Sequence, residues 1–313
     1  MSWMERLRKN PVVLKELRGR MRGRRAFVVL TVYLLVLSGG ISLAFIPLAS
    51  RPMISGYDLA IRQVVGKGIF GMAVLIQFIT ISFIAPGITA GAIASERDHQ
   101  TFDILRTTLL SARELVTGKL LAALSFLFLL LLAAFPIQSL AFLLGGVSLE
   151  EILIAALMLI TTAVALSAVG VFLSSVLKRT LAATVLGYAV SIATIAGVPL
   201  LVMLLLAVAS PILEIMFTGG TGDIGPATAV VLAGLAWILV SSNPLIAAIA
   251  SEAILVDAQS PWYYSIPLPS SAQYPNPSDL PVPSPWIGYV LGYLLLSLLL
   301  IWLSIRAVRR PEV

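Results

Sequence analysis

Residue types that perform chemistry are scarce in this sequence. It contains no cysteine and a single histidine, His99, which excludes disulfides and Cys-ligated metals and argues against histidine-based metal sites. No Gly-x-x-x-x-Gly-Lys-Ser/Thr phosphate loop occurs, and Gly66-Lys67-Gly68 lacks that spacing. Motifs of the His-Glu-x-x-His and Gly-x-Ser-x-Gly kinds are missing too. We therefore expect no catalytic, cofactor-binding or metal-binding residues, and we predict that the chain itself is not an enzyme.

The polar residues that do cluster lie in one segment, Ser95 to Lys119, which we call the charged island. Within it, Ser111 and Glu114 form a Ser-x-x-Glu capping box, which satisfies free backbone donors at a helix start. The runs 69–94 and 120–149 on either side contain no Asp, Glu, Lys, Arg or His. The island is therefore expected in water, while its flanks lie in lipid.

The elements that position the island are apolar helices. The chain is 59% apolar and only 12% charged, about half the roughly 25% that is usual for soluble domains. Several apolar stretches exceed the ~20 residues that cross ~30 Å of hydrocarbon. The sequence predicts an all-α polytopic protein of the plasma membrane with six transmembrane helices. We place these spans at about 26–49, 69–94, 120–144, 152–177, 181–209 and 286–305.

Residues 1–25 precede the first span and carry nine of the 21 lysines and arginines. Apolar residues recur at helical spacing from Val13 to Met21, opposite a basic stripe. Such an amphipathic helix is expected in the cytoplasmic membrane interface, with its basic face toward anionic headgroups. It is either a topology anchor alone or a helix that also contacts a partner. The residues assigned to this interfacial helix are Lys15, Glu16, Arg18 and Arg22.

Positive charges fix the expected orientation of the spans. With six spans and a re-entrant outer hairpin at about 227–256, 18 lysines and arginines lie inside and three outside. If 227–256 crosses fully, the split becomes 15 and six. The first topology is favoured, and it places both termini in the cytoplasm. Asn243-Pro244 suits the break of such a hairpin.

Residues 261–285 contain eight prolines and several aromatic residues. This composition predicts an extended outer loop, with its aromatic side chains at the membrane interface, rather than a folded domain. We expect an ordered cover over the outer face, and a role in substrate gating is the alternative.

The polar side chains inside the spans are mostly uncharged amides and hydroxyl groups. The five clearest spans carry no Asp, Glu, Lys, Arg or His in their interiors. This pattern argues against proton-coupled transport by residues within this chain. Helix packing is the simpler explanation for most of these side chains. The alternative is that some of them line a pathway for an amphiphilic or apolar substrate. Glu252 would then lie at the outer exit of this pathway, whereas otherwise it is simply exposed to water. The candidate pathway residues are Gln77, Thr80, Tyr188, Ser191, Thr194 and Glu252.

Three stretches carry a family resemblance. The chain opens with Asn10-Pro11-Val12-Val13-Leu14-Lys15-Glu16-Leu17-Arg18, the island contains Glu96-Arg97 … Thr101-Phe102-Asp103-Ile104-Leu105 … Thr108-Leu109-Leu110-Ser111 … Gly118-Lys119, and the hairpin contains Asn243-Pro244. They resemble the membrane permease subunits of type 2 ABC exporters, whose loop reads Glu-Arg … Gly-Thr … Leu-Leu … Thr-Pro-Leu-Ser … Gly-Lys. Gln100 and Leu109 depart from that pattern, at positions where the family often has Gly and Pro.

The resemblance implies a permease that moves its substrate outward by alternating access, driven by a separate ATPase subunit that binds ATP and Mg²⁺. Residues 96–108 would form the coupling helix that docks on this ATPase, and the second and fifth spans would line the central path. The implied ATPase-coupling residues are Glu96, Arg97, Thr101, Phe102, Asp103, Leu105 and Arg106. Further partners would be a second permease copy or a paralogue, and the lipid bilayer; nucleic acid is not expected. An autonomous secondary carrier or channel is the alternative function, followed by a lipid-modifying membrane enzyme.

Overall fold

The computed structural model describes residues 19, 24–49, 58–100, 111–201, 203–205, 207–208, 226–258, 260–266 and 280–309. This part of the chain is mostly helical. Its elements, in order, are α1 (Arg24–Ala49), α2 (Asp58–Thr89), α3 (Ala94–Asp98), α4 (Ala112–Leu143), α5 (Leu149–Val176), α6 (Thr180–Ile192), a π-helical turn (Ala193–Gly197), α7 (Pro226–Ser241), α8 (Pro244–Ala258), β1 (Tyr263–Ile266), β2 (Leu280–Pro283) and α9 (Pro285–Arg309). The predicted interfacial helix falls outside the described residues, apart from its last positions.

Six helices in the described parts of the chain are long and apolar enough to cross a membrane. They are α1, the stretch Gln63–Asp98 that joins α2 and α3, α4, α5, the helix that continues from α6 to Leu205, and α9. The pair α7 and α8 passes the same test together but is bent by 120°, so the count rises to seven if this pair is one span. The predicted architecture of a helical, multi-pass membrane protein is confirmed at this level.

Capping residues explain where two of the long helices begin. Glu114 N donates to Ser111 Oγ at 3.3 Å, and Ser111 N donates to the Glu114 carboxylate at 3.0 Å, so the predicted capping box starts α4. A second box starts α5, where Ser148 and Glu151 exchange the same two bonds at 3.2 Å each. Sequence analysis did not single out the second pair. Both boxes satisfy backbone donors that the first helical turn leaves free.

Two helices extend beyond the spans predicted from hydropathy. The helix α2 begins at Asp58 rather than near residue 69, and α4 begins at Ala112 rather than near residue 120. The reason is that hydropathy marks only the part of a helix that contacts lipid, whereas backbone hydrogen bonding continues into water until a capping residue ends it.

The chain forms two compact units, one of Met1–Ser191 with Tyr293–Val313 and one of Ile192–Gly292. In the first unit, α2 packs against α1, α4 and α5. One apolar cluster of this unit joins α2, α4 and α5 near the start of α2. Its buried members are Val65, Ile69, Phe70, Ala141, Val147 and Ile152.

A second apolar cluster of the first unit lies at the opposite end of α2, beside α3. Its buried members are Ile93, Leu115, Val116, Leu120, Val171 and Val308. The start of α4, the end of α5 and the last turns of α9 therefore pack together directly beneath the charged island. The island is not a loose connection, because Ile93 just before it and Leu115 and Val116 near its end are part of a helix-packing core.

In the second unit, the strands β1 and β2 pair antiparallel, with Tyr263 opposite Pro283 and Ile266 opposite Leu280. Sequence analysis predicted an extended loop here but not the pairing of its two ends. The prolines of β2 are compatible with this arrangement, because a strand with only one neighbour needs no backbone donor on its open side. Burial raises the pKa of the Tyr264 phenol in β1, which therefore stays neutral at physiological pH.

Tryptophans tie this strand pair to the helices of the second unit. Trp286 N donates to Ser251 Oγ at 3.1 Å, and Trp286 Nε1 donates to Pro261 O at 2.7 Å. Trp237 Nε1 of α7 donates to Pro283 O at 2.7 Å. These bonds link α7, α8 and the start of α9 to β2 and to the residues just before β1. The middle of the predicted outer loop, residues 267–279, lies outside the described residues.

Candidate functional site at the end of α2

The residues that lead into the charged island are held by a hydroxyl group from α5. Ile93 and Ala94 are almost fully buried, and the N-cap position of α3 has no capping side chain of its own. Both of their N–H groups donate instead to Ser174 Oγ, at 2.8 Å each. Water cannot reach these donors, so Ser174 supplies the cap that the local sequence lacks.

Arg97 returns a bond from α3 to α5. Its Nη1 donates to Ser175 O at 2.8 Å. The carbonyl of Ser175 belongs to the last turn of α5, where carbonyls have no partner within the helix. A guanidinium at this position satisfies the carbonyl and complements the negative end of the helix dipole.

Asp98 makes the equivalent contact with the start of α6. Its Oδ2 accepts a hydrogen bond from Thr180 N at 2.7 Å and another from Thr180 Oγ1. Thr180 is the first residue of α6, so a carboxylate from α3 caps a helix that begins 82 positions later. Negative charge at a helix N-terminus is favoured by the dipole as well as by the bonds.

Glu96 joins the same site to α4 through an ion pair. Lys119 Nζ lies 3.2 Å from Glu96 Oε1, and the side chains of Lys119 and Glu96 are 7% and 28% exposed. A lysine this deeply buried needs a nearby anion, because removing a charge from water costs several kcal/mol. Residues 93–98 therefore contact three other helices. Ile93, Ala94 and Arg97 bond to α5, Glu96 pairs with α4, and Asp98 bonds to α6.

Of the predicted ATPase-coupling residues, Glu96 and Arg97 lie in this site. The remaining ones are outside the described residues, as are all four residues assigned to the interfacial helix. Asp98, Ser174 and Thr180 were missed by sequence analysis. The Ser174-Ser175 pair at the end of an apolar run was the available signal, but nothing in the sequence relates it to residues about 80 positions earlier.

Gln77, a candidate pathway residue, lies between α2 and α4. It is 2% exposed, and its Oε1 accepts a hydrogen bond from Gln138 Nε2 at 2.8 Å. At ~1.5 Å per residue, Gln77 is about 15 Å from Lys67 and about 18 Å from Thr89 along α2, near the middle of this helix. The contact favours the helix-packing interpretation, since the paired amides face each other rather than an open path.

Tyr188 of α6 packs against α2 at Gly87, where a residue with a side chain would not fit unless Tyr188 shifted. The Tyr188 hydroxyl is 2.7 Å from where a Cβ would lie at Gly87, and its ring centre is 6.3 Å from that of Phe83. Ser191 is 2% exposed, and Thr80 is half-buried. The predicted second and fifth spans are thus in direct contact in this unit.

The two remaining candidate pathway residues belong to the second unit. Thr194 lies in the π-helical turn, and its carbonyl accepts a hydrogen bond from Asn243 Nδ2 at 2.5 Å. Asn243 Oδ1 caps α8 by accepting from Leu245 N and Ile246 N at 2.9 and 3.1 Å. Asn243 is fully buried and so connects the break between α7 and α8 to the π-helical turn. Glu252 is partly exposed on α8.

No group of three or more acidic or histidine side chains that could hold a metal ion occurs among the residues with described positions. In comparisons with known proteins, no protein-family model and no curated protein matches this chain.

Proposed function

We propose that this chain is the transmembrane permease subunit of a type 2 ABC exporter, driven by a separate ATPase subunit. The observation that carries the proposal is the anchoring of α3, the start of the charged island, to α4, α5 and α6. A segment that receives work from a partner must be joined to the helices that move. A loop that merely reverses the chain needs no such contacts.

Residue chemistry indicates which of the two subunits would bind the nucleotide. The sequence contains no phosphate loop, so ATP and Mg²⁺ would be bound by the partner. In this proposal the island, including Phe102 and Arg106, lies in the cytoplasm and docks on the ATPase. ATP-driven closure of the partner would then reach the spans through α3, and an amphiphilic or apolar substrate would leave on the outer side.

The expected topology has both termini in the cytoplasm and α7–α8 as a re-entrant outer hairpin of a plasma-membrane protein. Two observations support the hairpin. The pair is bent by 120° at Ser242-Asn243, and Asn243 stabilises the bend from within. A second permease copy or a paralogue would complete the transporter.

The test is co-purification of the full chain with the ATPase encoded beside it, followed by measurement of ATP hydrolysis in liposomes. We expect Phe102→Ala and Arg106→Ala to weaken the complex or to uncouple hydrolysis from transport, while the chain still inserts. Arg113→Ala is the matched control, because Arg113 is an exposed basic residue of the same island that is not assigned to coupling.

Normal docking and coupled hydrolysis in both variants would contradict the assignment of the island. Transport by the purified chain alone, without any ATPase, would contradict the proposal as a whole and favour an autonomous carrier or channel.

A further inference from the structure

Three helix ends meet at α3, and each is capped by a residue from another element. We call this set the capping latch. It consists of Ile93, Ala94, Arg97 and Asp98 on one side and Ser174, Ser175 and Thr180 on the other. Five hydrogen bonds join the two sides, between residues that are 78 to 82 positions apart.

We infer that α3 and the turn between α5 and α6 form one mechanical unit, held together by this reciprocal capping. Ser174 of α5 caps the start of α3, whereas Arg97 and Asp98 of α3 cap the end of α5 and the start of α6. Neither side has a complete set of hydrogen bonds without the other. Ser174, Arg97 and Asp98 are therefore positioning residues for this junction.

The helices on both sides of the latch are interrupted where the latch forms. The helix α2 ends at Thr89, and a turn over residues 90–93 separates it from α3. Residues 177–179 likewise interrupt the helix between α5 and α6. We therefore expect a displacement of α3 to reach α5 and α6 through the latch, in addition to α2 through the chain.

Packing beneath the latch supports a single unit. Ile93 belongs to the same apolar cluster as Val171 of α5. Ala90 and Ala94 form a further buried cluster with Ala183 of α6, against which Leu177 packs. The hydrogen bonds thus lie over two apolar contacts between the same elements. Water is excluded from the N–H groups of Ile93 and Ala94, whereas the contact between Asp98 and Thr180 is exposed.

Amide hydrogen exchange of the full chain in lipid nanodiscs tests this inference. In Ser174→Ala, we expect exchange at Ile93 and Ala94 to rise about fivefold, as for the loss of a helix cap. We also expect exchange at Ala183, whose N–H bonds to Arg179 O in the first turn of α6, to rise about twofold through the latch. Ala183 makes no bond to Ser174, so a local effect would leave it unchanged.

The neighbouring Ser175→Ala is the matched control. The Ser175 hydroxyl donates to Phe172 O within α5, whereas the backbone carbonyl of Ser175 accepts the bond from Arg97. This variant keeps all five bonds of the latch, so exchange at Ile93, Ala94 and Ala183 should stay as in the parent protein. An increase at Ala183 that is equal in both serine variants would overturn the inference.

The effect of α6 on the start of α3 is tested with Asp98→Ala, and Thr184→Val is its control. Asp98 is exposed, so its loss leaves the core intact, and Thr184 Oγ1 bonds locally to Thr180 O. We expect Asp98→Ala to raise exchange at Ala183 and also at Ile93 and Ala94. An increase confined to Ala183 would mean that the caps act independently, and the inference would be wrong.

A cysteine pair provides a measurement that does not depend on exchange rates. Because the chain has no cysteine, Asp98→Cys with Thr180→Cys allows only one disulfide within the chain. We expect mild oxidation to crosslink this pair but not Asp98→Cys with Thr184→Cys, one helical turn further along α6. Equal or no crosslinking in the two pairs would contradict a latch. No ATPase or substrate is present, so these results are independent of the proposed function.

Discussion

Near the end of α2, the contribution of each charged residue to stability depends on how deeply it is buried. The side chain of Lys119 is 7% exposed and that of its partner Glu96 is 28% exposed, although both belong to the charged island. The cost of leaving a charge without its counter-ion is larger for the more buried group. Removing Glu96 is therefore expected to cost more stability than removing Lys119.

We expect Glu96→Ala to destabilise the protein by on the order of 3 kcal/mol, because it removes an anion beside a buried lysine. Lys119→Met replaces the lysine with an apolar side chain of similar length and should cost less than about 1 kcal/mol. Thermal unfolding of both variants in the same detergent measures the difference. Equal losses of stability, or a larger loss for Lys119→Met, would contradict this account.

The end of α3 is a second residue-scale feature. Gln100 has a φ of 56°, in the left-handed region that disfavours side chains with a Cβ. We expect Gln100→Gly to stabilise the protein by roughly 0.5–1 kcal/mol. The adjacent His99 has a φ of −89°, so His99→Gly should be destabilising by a similar amount. Chemical or thermal unfolding distinguishes the two, and a loss of stability in both would contradict the strain at Gln100.

At the scale of elements, close packing between α2 and its neighbours depends on small residues. A Cβ at Gly170 of α5 would lie 2.9 Å from Thr89 Cβ and 3.2 Å from Ala90 N. A Cβ at Gly187 of α6 would lie 3.2 Å from Pro86 Cβ. These approaches bring backbones together, as small residues do at helix interfaces in membranes.

Gly170→Ala should therefore cost about 1–3 kcal/mol, because the backbone of α2 at Ala90 cannot move as a flexible side chain would. Gly71→Ala in α2 is the control. No atom of the described residues lies within 4 Å of its added Cβ, so this change should be neutral or stabilising by about 0.5–1 kcal/mol. Retained thermal stability in Gly170→Ala would show that the two helices are less closely packed than described.

At the scale of the whole molecule, the number of crossings decides on which side of the membrane α9 ends. Six crossings place Arg309 on the same side as His99, whereas a full crossing by α7–α8 places the two residues on opposite sides. Both are exposed in the structure, and the chain has no cysteine of its own. Single-cysteine labelling can therefore distinguish these topologies directly.

We expect His99→Cys and Arg309→Cys to react with a membrane-impermeant maleimide only when the cytoplasmic side is accessible, as in inverted vesicles. Trp262→Cys, on the exposed part of the strand unit, should react only from the outer side. Labelling of Arg309→Cys from the outer side would contradict the re-entrant hairpin and favour seven crossings.

Much of the fold could be predicted from the sequence, because its determinants are local. Apolar runs longer than the bilayer predicted the helices, the Ser111–Glu114 box predicted the start of α4, and Asn243-Pro244 predicted the break between α7 and α8. Helix bounds were less accurate at α2 and α4. There the helices continue into water, where hydropathy carries no information about hydrogen bonding.

Tertiary structure alone decided how the charged island is held. The sequence determined that a polar segment lies between two apolar helices, because transfer of charges to lipid is costly. It did not determine that Ser174 caps α3 or that Asp98 caps α6, because these groups meet only after helices about 80 residues apart have packed. The pairing of β1 with β2 is of the same kind. Local chemistry selects helices and their ends, whereas partners distant in sequence are selected by packing, where burial leaves backbone groups that only another element can satisfy.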